Sequence, residues 1–107
     1  MELKRFDVFW VDLNPTVGSE INKIRPCVII SPDELIPHKR SVIVVPITSS
    51  IKKLKFRPFV TVNNKEGQVV VDQIRTIDKK RLKGFIQHLD MNVKKQLTNT
   101  LTEFFAF

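Results

Sequence analysis

The stretch VIVVPITSS, residues 42–50, decides the architecture. Its β-branched residues read as a strand. Pro46, however, has no N–H to give to a ladder, so it marks an edge or a bulge near the strand's end. The backbone is expected to kink there, and Thr48-Ser49-Ser50 then turns the chain out of the sheet. A short, bent strand of this kind belongs in a small curled sheet.

Upstream, residues 27–30 (CVII) form an apolar run, the pattern of a strand buried on both faces. Pro26 pushes Arg25 toward an extended conformation just before it. A cation at the doorstep of a buried strand calls for a fixed neighbour or a bound anion, because an unpaired buried charge is costly. Residues 7–13 (DVFWVDL) read as an earlier strand, stopped by Asn14-Pro15, with a loop through Gly18 to about Lys23. Between residues 30 and 42, Ser31 is expected to cap one helical turn over residues 32–36, closed by Pro37.

Downstream, PFVTVNNKEGQVVVDQIRTI reads as a hairpin with its turn at residues 63–67 and residues 69–71 pairing back. GFIQHL is one more short strand. Asp90 can cap a final helix in which Val93, Leu97, Leu101, Phe104 and Phe105 share one face. The sum is a mainly β protein: a small, strongly bent antiparallel barrel of SH3-like or OB-like geometry, capped by a C-terminal α-helix.

A chain of 107 residues, 42% hydrophobic, suits one domain over residues 1–107. No signal peptide is legible, and no apolar run approaches the roughly 20 residues of a membrane span, so a soluble, cytoplasmic protein is expected. Cys27, the lone cysteine, reads as a small core residue. The 18 basic against 11 acidic side chains give +7, a bias toward polyanions such as nucleic acid. Much of it comes from residues 52–57 and 79–83, which read equally well as solvated loops.

Glycine-rich phosphate loops, paired-cysteine zinc signatures and carboxylates at metal spacing are all missing from the sequence, so neither a metal nor a cofactor is expected. His38 and His88 leave a two-histidine ribonuclease mechanism open in form, but two scattered histidines read more readily as surface or satisfied structural residues. What stands out is three polar segments at strand ends: Gly18-Ser19-Glu20 with Arg25, Thr48-Ser49-Ser50, and Asp72-Gln73-Ile74-Arg75-Thr76. In a small barrel such ends can converge on one rim. Each also has a local reading, with Thr48-Ser49-Ser50 as a turn, Gln73 as a hydrogen-bond filler and Arg75 as a partner of Asp72 or Asp78.

Taken together, DVFWVDLNPTVGSE, RPCVIIS, VIVVPITSS and DQIRTIDKKRL resemble the MazF/PemK family of toxin endoribonucleases, in the family's order and over essentially the whole chain. Phe6 stands where the family usually has glycine, and Ile21-Asn22-Lys23-Ile24 occupies a stretch where many relatives carry a glycine. The resemblance implies an SH3-like barrel assembled as a homodimer, and a metal-independent endoribonuclease inhibited by an acidic antitoxin. It places Arg25 and Thr48 at the catalytic positions. Ser19, Glu20, Ser49, Lys52, Lys53, Gln73 and Arg75 are then candidates for binding single-stranded RNA, with Glu20 either taking a proton or holding Arg25.

Two rivals share the architecture. CcdB-type gyrase poisons have the same fold but characteristically end in Trp-Gly-Ile, whereas this chain ends Phe104-Phe105-Ala106-Phe107. A non-catalytic RNA-binding barrel would keep the charge without the chemistry.

Overall fold

The computed structural model describes residues 2–107. It contains β1 (Asp7–Asp12), β2 (Ile24–Ile29), β3 (Ser41–Thr48), β4 (Phe59–Val62), β5 (Lys65–Val69), β6 (Arg75–Asp78), β7 (Leu82–His88) and α1 (Met91–Phe104). The strands form one curled antiparallel sheet in the order β4-β5-β3-β2-β1-β7, with β6 on β3. Its two edges approach each other: Gln87 Nε2 on β7 donates to the Thr61 carbonyl on β4 at 3.0 Å. The curl therefore closes through a side chain where no ladder joins the edges.

The expected mainly β barrel with a terminal helix is the fold observed. Residues 27–30 are buried on both faces, as their unbroken apolar run requires. In register, Val8, Val28 and Val45 form a row across β1, β2 and β3. That face packs with Val60, Val62 and Val69 of the hairpin and Leu97 of α1. On the opposite face Phe9, Cys27, Ile29 and Val44 meet Leu13, Ile36 and Ile77. The small sheet thus has a core on each side.

Of the two places expected for Pro46, an edge or a bulge, the edge is not the one observed. Pro46 lies inside the sheet, paired with Cys27 of β2. Its missing N–H costs nothing because β3 changes partners there, pairing β6 along residues 41–44 and β5 along residues 47–48. The Pro46 carbonyl still accepts from Val70 N at 2.8 Å.

Ser31 does not cap a helical turn. Its Oγ accepts from Ile43 N at 2.8 Å, and Pro37 lies inside a 3-10 turn, Ile36–His38. The β4–β5 turn is tighter than expected. Asn63 and Asn64 alone connect the strands, with φ of 51° and 61°, the left-handed values a two-residue hairpin needs and asparagine tolerates. Val71 leaves the ladder for a 3-10 turn, Val71–Gln73. Asp90 does cap α1, accepting from Val93 N at 3.0 Å. Leu97 is buried beneath the helix while Phe105, just past its end, is exposed.

Candidate active site

The change of partners at Pro46 also shapes the surface. The β2–β3 ladder runs only over Cys27–Ile29, so Ile24–Pro26 are held by β1 alone. Where β2 parts from β3, a cleft of about 550 Å³ opens, lined by Trp10, Ile24, Arg25, Pro26, Ile47, Thr48 and Ser49 and flanked by the β4–β5 hairpin from Val62 to Gly67. Arg25 and Thr48 meet here because antiparallel pairing brings the start of one strand beside the end of the next.

Arg25 is exposed, so the desolvation problem anticipated from its place beside a buried strand does not arise. Its Nε donates to the Asn22 carbonyl at 3.2 Å, which orients the side chain. Among the described residues the ion pairs are Lys55–Glu103 and His88–Asp7, which leaves the Arg25 guanidinium without a carboxylate. Thr48 Oγ1 accepts from Ser50 N at 3.1 Å, fixing the hydroxyl while leaving its proton free to donate. Gly67 presses against this strand end: a Cβ there would stand 2.7 Å from the Thr48 carbonyl oxygen.

The three polar segments are shared between two hollows. Glu20, Gln73 and Arg75 line a second hollow of about 190 Å³ with Leu13, Ile21, Pro46, Asp72 and Ile74. Their polar atoms brace the β1–β2 loop. Glu20 Oε1 accepts from Val17 N at 2.9 Å, Gln73 Oε1 accepts from Ile21 N at 2.7 Å, and Arg75 Nη1 donates to the Leu13 carbonyl at 3.1 Å. Arg81 joins them, donating to the Asp12 carbonyl at 3.1 Å and to the Asn14 carbonyl. Glu20 therefore neither lines Arg25's cleft nor pairs with it, and Arg75 pairs with neither Asp72 nor Asp78.

Ser19 and the Lys52 and Lys53 side chains are exposed and line neither hollow. The Lys52 backbone is clamped by the buried Gln68 amide, which accepts at 2.9 Å and donates at 3.0 Å. Cys27 is buried, and burial pushes its thiol up to about 12 against a smaller opposing pull from Arg75.

Sequence reading missed Trp10, Asn63, Asn64 and Glu66 as members of the cleft. The Asn-Asn pair was legible as turn chemistry but not as a wall of the site. Trp10 left a weak signal, a large aromatic on the same parity of β1 as Asp12.

The curled β-sheet opens at one end onto a cleft lined by both Arg25, whose guanidinium has no carboxylate partner among the described residues, and Thr48, residue types suited to an anionic ligand. The chain belongs to the family of PemK-like, MazF-like toxins of type II toxin–antitoxin systems, whose model matches residues 4–105. It is 36% identical to endoribonuclease EndoA of Bacillus subtilis, over 94% of this chain and 92% of that protein. It is likewise 36% identical to endoribonuclease MazF of Staphylococcus saprophyticus, over 92% and 88%. In fold it is similar to MazF from Deinococcus radiodurans, with a TM-score of 0.86 at 19% identity over 100% and 99% of the two chains. It is also similar to an endoribonuclease in complex with its cognate antitoxin from Mycobacterial species, with a TM-score of 0.80 at 19% identity over 94% and 92%. The chain is thus a MazF-like endoribonuclease toxin.

Proposed function

We propose that this toxin, a single unit over residues 1–107 acting in the cytoplasm, cuts single-stranded RNA by attack of a ribose 2′-hydroxyl on the adjacent phosphate. The O2′–P bond forms as the P–O5′ bond breaks, giving a 2′,3′-cyclic phosphate and a 5′-hydroxyl end. The 2′-hydroxyl gives up a proton and the departing O5′ gains one. Negative charge grows on the non-bridging oxygens between these events, and a planar guanidinium can meet two of them at once. Arg25 takes that role, Thr48 donates to the same phosphoryl group, and the exposed lysines, Lys52 and Lys53 among them, attract the rest of the strand. Glu66 is the carboxylate in this cleft and takes the position in the mechanism that Glu20, in its own hollow, does not fill.

The observation that carries the reading is the meeting of Arg25 and Thr48 in one cleft with the guanidinium unpaired. Guanidinium chemistry of this kind needs no metal ion. The test is to incubate the protein with a long single-stranded RNA in excess EDTA and map the new ends. Cyclic phosphate and 5′-hydroxyl termini are expected, and a 2′-deoxy substitution at the attacking ribose should stop the cut. Activity seen only with added Mg²⁺ would overturn this mechanism, and DNA cleavage would overturn the nucleophile.

We further propose a homodimer and control by an acidic, partly disordered antitoxin. A charge of +7 supports the second. Exposed Ile51, Leu54, Phe59, Phe105 and Phe107 leave apolar surface to cover, which supports the first. Light scattering at micromolar concentration tests the dimer, and the salt dependence of antitoxin binding tests the charge argument.

A further inference from the structure

Trp10 holds an aromatic ring at the mouth of the cleft that the core does not use. It is 39% exposed, whereas its neighbours Phe9 and Val11 are buried. In register it stands between Pro26 of β2 and Gly84 of β7. Gly84 brings no side chain, and even a Cβ there would come only within 3.9 Å of Trp10 Cδ1, so one flank of the indole is left open. Across the cleft are Asn63 and Asn64, held at the hairpin tip by left-handed backbone angles. Among the described residues neither amide is engaged in a side-chain hydrogen bond. The cleft thus offers a flat apolar surface and two amides carrying both donors and acceptors, with Arg25 among the residues that line it.

We infer that this end of the cleft is a nucleobase pocket: Trp10 stacks against one unpaired base of the RNA, and Asn63 and Asn64 hydrogen-bond its edge. The inference rests on the proposed RNA cleavage and adds the element that selects sequence. Single-stranded RNA is recognised by splaying bases onto aromatic faces and reading their exposed edges with polar groups. An amide side chain is matched to such an edge because it donates and accepts side by side. An acidic peptide could also lie on an indole, but it would leave the paired donor and acceptor groups of the asparagines half used.

The chain has one tryptophan and no tyrosine, so its intrinsic fluorescence reports Trp10 alone. The experiment titrates the wild-type protein with an RNA oligonucleotide containing its cleavage site, made uncleavable by 2′-deoxy substitution at the attacking ribose. A set of the same oligonucleotides then carries one abasic nucleotide at each position. Binding is followed in parallel by anisotropy of a 3′ dye. The expected result is quenching of Trp10, lost at one abasic position, with affinity falling about tenfold to a hundredfold at that position. Trp10→Ala should lose the same factor and become indifferent to that abasic site, while Trp10→Phe recovers part of it. Asn63→Ala and Asn64→Ala should relax base preference at that nucleotide. If the RNA binds by anisotropy but neither Trp10 fluorescence nor any abasic position responds, the pocket is wrong and the cleavage mechanism stands. If this RNA does not bind and its all-ribose counterpart is not cut, both fall. Quenching by an acidic peptide and not by RNA would assign the indole to a protein partner and overturn the pocket.

Discussion

Gln73 Oε1 accepts the backbone N–H of Ile21 at 2.7 Å and so pins the β1–β2 loop, just before Arg25, to the 3-10 turn that leads into β6. The expected consequence is local. Gln73→Ala should raise hydrogen exchange over the loop that ends at Lys23, with a loss of about 1 kcal/mol of local stability. Gln73→Glu keeps an acceptor and should restore most of the protection. Unchanged exchange in Gln73→Ala would show that Arg75 and Arg81 hold the loop without it.

Arg25→Ala should lower the cleavage rate by about 10² to 10³ or more with the fold intact, the usual loss for a preorganised donor to a developing oxyanion. Arg25→Lys should rescue little, since an ammonium lacks the planar fork. Thr48→Ala should also be damaging. The initial rate on a fluorogenic chimeric oligonucleotide measures each, with circular dichroism as the folding control. His38→Ala should leave the rate near wild type. His88→Ala should too, but it removes the 2.7 Å partner of buried Asp7 and should reduce stability by about 1 kcal/mol. Inactive, folded histidine variants would move the chemistry to another site.

Gly67→Ala tests the geometry of the cleft without touching a reacting group. A Cβ at this position would stand 2.7 Å from the Thr48 carbonyl oxygen and 3.0 Å from Ile47 Cγ2. The first neighbour is backbone and cannot rotate away. The variant should therefore displace the Thr48 strand end and lose at least about tenfold in activity, because small displacements of positioned groups carry large rate costs. Wild-type rates in Gly67→Ala would show that the position of Thr48 is unimportant.

Phe6 adopts φ of 75°, the left-handed region, at the position where the family resemblance leads one to expect glycine. Its ring compensates by packing against the core face beneath α1, with Lys94 Nζ 6.0 Å from the ring centroid. Phe6→Ala keeps the backbone strain and loses the packing, so it should destabilise by about 2 kcal/mol. Phe6→Gly should be about 1 kcal/mol more stable than Phe6→Ala, since only the strain is relieved. Denaturant titration measures both. Alanine proving equal to glycine would remove the strain argument.

Cys27 should be inert and should set an alkaline limit. Burial raises its thiol from 9.0 to about 12, so folded protein keeps the proton that unfolded chain releases above pH 9. The unfolded state then binds fewer protons, and stability falls as pH rises from 9 toward 12. Alkylation of native protein at pH 8 should be negligible and should appear on unfolding. Cys27→Ala should be less stable at pH 7, yet lose less of what it has between pH 9 and 11. An equally steep alkaline loss in Cys27→Ala would assign the effect to other groups.

Much of this was written in local sequence. The apolar run of residues 27–30 announced a strand covered on both sides, Asp90 announced the start of α1, and the alternation of residues 59–62 announced a strand with one face inward. These signals are legible because backbone preference, burial pattern and capping act over a few residues. Arg25 and Thr48 stood out as polar residues at strand ends, and only the resemblance to a family gave them a catalytic role.

Tertiary structure alone decided which strand lies beside which, and with that the membership of the cleft. Pro46 has the same local chemistry on an edge as at a change of partners, and only the register of β3 against β2, β5 and β6 separates the two. Glu20 lies closer to Arg25 in sequence than Glu66 does, yet a loop braced by Gln73, Arg75 and Arg81 turns it into another hollow. Glu66 and Trp10 arrive from a distant hairpin and the first strand because the sheet curls. A sequence specifies its turns and faces through neighbours along the chain. It specifies a site through long-range pairings, each the net result of many weak contacts, and those become readable only when the chain has closed on itself.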